Sequence, residues 1–123
     1  MSQDILADTF NQIMNLKKAG KKELEVARYS KLLIKVLEIG KENGYLEYSL
    51  SNKKLKIKIL KLNECKVIKP RFNVAVEDIT KYVRRYLPSR NFGIMIISTS
   101  SGLMTHEEAY EKNLGGSLIA FYY

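Results

Sequence analysis

The sequence predicts an α/β (α+β) chain of two small subdomains. One is an N-terminal helix–strand–helix unit with a hairpin, the other a C-terminal mixed sheet with short helices. Three observations carry this. Apolar residues recur at helical spacing in Ile5–Met14 and Leu33–Gly40. "KLKIKI" (54–59) alternates lysine and aliphatic residues with the period of a strand. A continuous apolar run, "FGIMII", ends in hydroxyls and then a helix start. The 123 residues suit one compact domain or two small units sharing a core. A weak boundary near Asn63 divides them into 1–63 and 64–123.

The first helix runs from Asp4 to Lys18, with Ile5, Leu6, Phe10, Ile13 and Met14 on its apolar face and Gly20 at its end. "KELEVARY" alternates Leu24 and Val26 with charged neighbours and reads as a short strand. Ser30 caps a second helix whose inner stripe is Leu33, Val36, Leu37 and Gly40; "NG" at 43–44 stops it. "YLEYSL" and "KLKIKIL", joined by "SNK", make a hairpin. Lys54, Lys56 and Lys58 share one face of its second arm. Such a row serves as a solvated edge that discourages strand pairing, or as an RNA-facing stripe.

"ECKVIKPRFNV" reads as extended, with Pro70 keeping it off a central strand or marking a bulge. Asp78 opens a third helix with Ile79, Tyr82, Val83 and Tyr86 inward and Lys81, Arg84 and Arg85 outward; Pro88 ends it. "FGIMIIST" is a buried strand. Thr105 and Glu108 form a T-x-x-E capping box for a fourth helix. "NLGG" ends that helix, and "SLIAFYY" is the last strand.

Charge points to the partner. Twenty-one Lys and Arg against thirteen Asp and Glu give +8 and a pI near 9.5. Between Lys53 and Arg71 there are eight basic residues and one acid. An excess of this size is typical of proteins that neutralise nucleic-acid phosphates. Cys65 is the only cysteine, so no internal disulfide forms and a reducing, cytoplasmic location is expected. Neither a signal peptide nor a membrane-length apolar run is apparent.

Enzyme chemistry finds little support. His106 is the only histidine and falls in the first turn of the capped helix, where side chains usually meet solvent. The G-x-S-x-G elbow, the G-x-G-x-x-G fingerprint and the P-loop are absent, and the chain lacks a metal-ligand set. The stretch "STSSG" (98–102), placed between a strand and a helix, offers hydroxyls and backbone amides to an anion. A small phosphate-ligand enzyme or sensor is therefore the alternative reading, although no lysine or acid occurs between Ser98 and Thr105. Short hydroxyl side chains suit the RNA minor groove, where 2′-hydroxyls and base edges both donate and accept. A turn that satisfies its own amides would use the same residues.

"GIMIISTSSGLMTHEEAY" (93–110) resembles the signature of the small-subunit ribosomal protein eight family, through Gly93, Ile96, Ile97, Ser98, Thr99, Gly102, Leu103, Met104 and Ala109. The resemblance continues through "NLGGSLIAFYY", "DILADTFNQIMN" and "SKLLIKVLEIGKENGYLE". "IKPRFNV" and "YLPSRNFGI" are similar to the archaeal and eukaryotic branch. The resemblance implies a two-part, non-enzymatic protein of the cytoplasmic ribosome, needing neither cofactor, metal, membrane nor small-molecule substrate. It implies direct binding to a helix in the central domain of small-subunit ribosomal RNA, a part in assembly, and contacts with neighbouring ribosomal proteins.

By motif position the implied RNA contacts are Ser98, Thr99, Ser100, Ser101 and Gly102, with Gly115 and Gly116 shaping the adjoining surface. Asp8, Thr9, Asn11, Asn15, Ser30 and Lys31 are the implied N-terminal contributors. Two departures stand out. Ser117 replaces the acid that follows G-G in many bacterial members. The "FYY" end offers Tyr122 and Tyr123 for stacking on a base or a protein, or for burial at a strand end.

Overall fold

The computed structural model describes residues 5–68, 73–88 and 92–123. Its internal contacts divide the chain into two units, Met1–Lys66 and Val67–Tyr123. Pro70, Arg71 and the "SRN" that precedes Phe92 lie outside the described residues.

The first unit is ordered α1 (Ile5–Lys18), β1 (Glu23–Val26), α2 (Lys31–Glu42), β2 (Leu46–Ser51) and β3 (Lys54–Ile59). Helical periodicity does what it promised: Leu6, Phe10 and Ile13 of α1 and Leu33, Val36, Leu37 and Gly40 of α2 are buried. Ser30 caps α2 by accepting the Leu33 N–H at 3.2 Å. These faces cover an antiparallel sheet of order β1-β3-β2, whose inner residues include Val26, Leu46, Leu55, Ile57 and Ile59. Cys65 is buried here too, and burial, helped by the Glu64 charge, pushes its thiol pKa up to about 12.

The sheet order corrects the edge-strand reading of the lysine row. β3 lies in the middle of the sheet, with β1 on one side and β2 on the other. The β2–β3 hairpin turns on Asn52 and Lys53, with φ of 51° and 61°. Left-handed φ at both central residues of a two-residue turn matches the right-handed twist of the arms. Asparagine tolerates that conformation; lysine adopts it against the steric preference of its Cβ.

In the second unit the sheet runs β4 (Cys65–Val67), β8 (Gly116–Tyr122), β6 (Ile94–Thr99), β7 (Gly102–Thr105), and the short β5 (Asn73–Val74) also pairs with β8. The β5–β8, β6–β8 and β6–β7 pairings are antiparallel. A bulge interrupts the β6–β8 register: Ile96 faces Ala120 but Ile97 faces Leu118. This leaves Ile119 out of register, with its carbonyl accepting the Ile68 N–H at 2.9 Å. A 3₁₀ turn (Val76–Asp78) leads into α3 (Ile79–Tyr86), and α4 spans His106–Glu111. The core joins Ile79 and Val83 of α3, Ala109 of α4, and Met95, Ile97, Met104, Leu118 and Phe121 of the sheet.

Two local expectations change here, and a third is met. Asp78 makes no side-chain capping bond, because the chain reaches α3 already wound in the 3₁₀ turn. Strand β7 was not anticipated: Gly102–Thr105 pairs with β6 before α4 begins, so the hydroxyl stretch forms a hairpin instead of a strand-to-helix mouth. Finally, the capping box is closed by Thr105 Oγ1, which accepts the Glu108 N–H at 3.3 Å and lies 3.4 Å from that residue's own carboxylate.

Candidate nucleic-acid interface

The β6–β7 hairpin sets the geometry of the hydroxyl stretch. Ser98 and Thr99 end β6, Ser100 and Ser101 make the turn, and Gly102 opens β7 opposite Thr99. Thr99 Oγ1 donates to the Gly102 carbonyl at 2.8 Å and accepts the Ser101 N–H at 3.1 Å. Its hydroxyl therefore serves first to close the turn, a local role common for threonine. Ser100 and Ser101 are exposed, and their side chains stand at the tip. Gly102 has φ of 109°, a conformation costly for any residue with a Cβ, and open space where a side chain would stand.

Neighbouring strands extend this tip into a surface. Ser98 lies directly opposite Leu103 on β7 and Ser117 on β8, and Ser117 lies opposite Asn73 on β5. Ser117 Oγ donates to Asn73 Oδ1 at 2.6 Å. A row of short polar side chains thus crosses β5, β8 and β6. Gly115 and Gly116 make the close strand approach possible. A Cβ on Gly116 would sit 2.1 Å from the Ser98 carbonyl oxygen, and one on Gly115 would sit 2.5 Å from the Val74 oxygen. Among the described residues the row of Asn73, Ser117 and Ser98 is uncharged and rich in groups that both donate and accept.

Ser98 through Gly102 and the Gly115–Gly116 pair are therefore brought together in the second unit. Asn73 was missed, since its pairing with Ser117 spans 44 residues and leaves no local sequence signal. In the first unit, Asp8, Asn11 and Asn15 are exposed at helical spacing along α1, and Lys31 is exposed at the start of α2. Thr9 does not join them. It is 1% exposed on the inner side of α1, which removes it as a contact residue. Ser30 is half-buried with its hydroxyl engaged in the cap.

His106 also departs from expectation. It is 6% exposed, and its Nδ1 accepts the Met95 N–H at 3.1 Å. The amide proton fixes Nδ1 as an acceptor, so the ring is neutral with its proton on Nε2. Burial holds its pKa below the usual 6.5, and the Glu107 charge offsets part of that shift. The imidazole is thus committed to the fold of β6 and α4 instead of to a serine. Among the described residues no group of three His, Cys, Asp or Glu side chains could hold a metal ion. None of the described helices is long and apolar enough to cross a membrane.

The lysine row loses its isolation. Lys58 faces Glu23 and Glu47 across the sheet, Lys56 faces Glu25, and Lys54 Nζ lies 3.2 Å from Glu25 Oε1. Three glutamates among three lysines leave little field for a phosphate backbone. Tyr122 is fully buried, which settles the strand-end question for that residue. Tyr123 is half-buried and stacks on Phe121 with centroids 6.0 Å apart.

The family profile described as Ribosomal protein S8 matches residues 4–123. The chain belongs to the ribosomal protein S8 family. It is similar to the small ribosomal subunit protein uS8 of Kluyveromyces marxianus, at 40% identity over 97% of this chain and 96% of that protein. Small ribosomal subunit protein uS8A of Saccharomyces cerevisiae is 41% identical over the same shares. Its Schizosaccharomyces pombe counterpart, uS8A, is 37% identical over 98% of both chains. These relatives agree with the eukaryotic-like branch, and the S8 family is structural and non-enzymatic.

Proposed function

We propose that the chain is a structural constituent of the small ribosomal subunit and binds directly to a helix in the central domain of small-subunit ribosomal RNA. Membership of the S8 family supports the ribosomal part. The observation that favours direct RNA contact is the hairpin tip. Exposed Ser100 and Ser101, held by the Thr99 bonds, adjoin the polar row of Ser98, Ser117 and Asn73, where Gly115 and Gly116 let the strands approach closely. A shallow minor groove accepts such a surface, and its 2′-hydroxyls find donors and acceptors there. Asn11, Asn15, Ser30 and Lys31 add contacts from the first unit, and neighbouring ribosomal proteins complete its surroundings.

Filter binding to a central-domain ribosomal RNA fragment tests this. Ser100→Ala with Ser101→Ala removes two exposed hydroxyls and leaves the Thr99 bonds in place, since Ser101 contributes its backbone N–H to them. At about 1 kcal/mol per neutral hydrogen bond, the double variant binds roughly tenfold or more weakly. Unchanged affinity in a folded double variant overturns the assignment of the tip.

A further inference from the structure

The approach to α2 carries an aromatic side chain that the fold leaves uncovered. Tyr29 is 36% exposed and stands immediately before the Ser30 cap. With half-buried Ile34 it lines an open groove of about 520 Å³, whose other walls are Ser30, Lys31 and Lys35. The two lysines are exposed and one turn apart on α2. Their methylene stems extend an apolar wall while their charges stay in water.

Charge indicates the occupant. Residues 26–37 contain Arg28, Lys31 and Lys35 and no acid. The acids on either side are engaged elsewhere: Glu25 pairs with Lys54 at 3.2 Å, and Glu38 accepts the Tyr48 hydroxyl at 2.5 Å. Among the described residues no ion pair reaches the three cations. Lys31 also stands in the first turn of α2, where the helix dipole favours acids, and that turn holds none. Lysines at i and i+4 repel each other besides. Both placements cost the free helix stability, and a bound anion reverses the sign of both. An aromatic face beside an aliphatic side chain, set among unpaired cations, matches a nucleotide: the ring takes the base and the cations take its phosphates. Only a base splayed out of a helix offers its face to a side chain. Ser30 and Lys31 belong both to this groove and to the proposed RNA surface of the first unit, which favours RNA over an acidic peptide.

We infer that the groove between Tyr29 and the start of α2 receives one unpaired nucleotide of the bound RNA, its base stacked on Tyr29 beside Ile34 and its flanking phosphates neutralised by Lys31 and Lys35. This inference rests on the RNA-binding reading above and deepens it, adding Tyr29, Ile34 and Lys35 to the contacts of the first unit.

The test uses the full-length chain and the central-domain ribosomal RNA fragment, with 2-aminopurine placed at one unpaired position at a time. Binding by the parent chain is expected to change the fluorescence at one of these positions, and Tyr29→Ala is expected to abolish that change. The same variant should bind the fragment about five- to a hundredfold more weakly, with an unaltered salt slope because no charge is lost. Tyr29→Phe keeps the ring and should bind within about twofold of the parent. Lys31→Gln with Lys35→Gln should flatten the salt slope by about 0.7–0.9 for each lysine.

Parent-level affinity in Tyr29→Ala, while Ser100→Ala with Ser101→Ala still weakens binding, overturns this inference alone and leaves the RNA reading standing. A parent chain that does not bind the fragment overturns both. Equal losses in Tyr29→Phe and Tyr29→Ala assign the contact to the hydroxyl and overturn stacking. A lowered urea midpoint of Tyr29→Ala that accounts for its loss of binding assigns the ring to the fold and overturns the inference too. Saturable binding of adenosine monophosphate that needs Tyr29, with RNA affinity independent of Tyr29, assigns the groove to a free nucleotide instead.

Discussion

Replacing Gly116 by alanine introduces one carbon atom where the two central strands of the second sheet approach each other. The added Cβ would lie 2.1 Å from the Ser98 carbonyl oxygen, 2.8 Å from its carbon and 3.1 Å from the Ile97 side chain. No flexible side chain can turn aside to relieve it, since the two nearest atoms are backbone. Strand β8 must move away from β6 by about 1 Å to restore an ordinary contact. That displacement falls where Ser117 pairs with Ser98, next to the bulge that already loosens the ladder at Ile119. Overpacking of this kind costs about 1–3 kcal/mol, before the weakened ladder is counted. In urea, with a slope of about 1–3 kcal/mol per molar, the transition of the second unit moves down by roughly 1 M. The assay is urea unfolding followed by near-ultraviolet circular dichroism of the second unit's tyrosines, with Gly102→Ala beside it. Alanine at 102 meets open space and carries only the cost of its φ. If Gly116→Ala unfolds at the same urea concentration as the parent chain, close strand approach is not why glycine stands there. The surface argument then fails with it.

Other expectations can be checked with the same material. Lys56→Gln and Lys58→Gln should leave the salt slope of RNA binding unchanged, because Glu23, Glu25 and Glu47 already face these lysines. A slope flattened by about 0.7–0.9 for each lysine would return the row to phosphate binding. Lys53→Gly should stabilise the first unit by about 1 kcal/mol in urea unfolding, since φ of 61° suits glycine; a loss of stability would refute the turn geometry. Acid should weaken the second unit through His106. Its folded pKa lies below 6.5, so the unfolded chain takes up the proton first. Stability is then fully present above about pH 6.5 and is lost as pH falls below that value toward the folded pKa. His106→Leu should flatten this dependence while costing about 1–3 kcal/mol for the buried Met95 amide left without an acceptor. An unchanged urea midpoint between pH 7.5 and 5.5 in the parent chain would contradict the burial argument.

What could be read beforehand was whatever the chain fixes over a few residues. The stripe of Leu33, Val36, Leu37 and Gly40, the Ser30 cap and the alternation of β3 are all local patterns, and each has its counterpart in the fold. Contacts between distant segments left weaker traces. The position of β3 between β1 and β2 depends on which strands meet, so the same alternation was compatible with an edge. Strand β7 is four residues whose extended form comes from pairing with β6, and "GLMT" alone reads as an approach to the helix. His106 occupies a first-turn position that ordinarily faces water; only the packing of α4 against β6 turns it inward. Thr9, polar and between two helix faces, carried no mark of its burial. For the site, the hydroxyl cluster was evident as a stretch. Its division into one threonine that closes the hairpin and two serines at the tip needed the bonds themselves.

The buried thiol of Cys65 has a practical consequence. A sulfhydryl at 3% exposure with its pKa at about 12 offers almost no thiolate at neutral pH, so alkylating reagents should pass the native chain by. No cysteine-free background is then needed for site-directed labelling. A cysteine introduced by Ser101→Cys would be the one reactive sulfur, ready to carry a fluorophore or a hydroxyl-radical cleavage reagent at the hairpin tip.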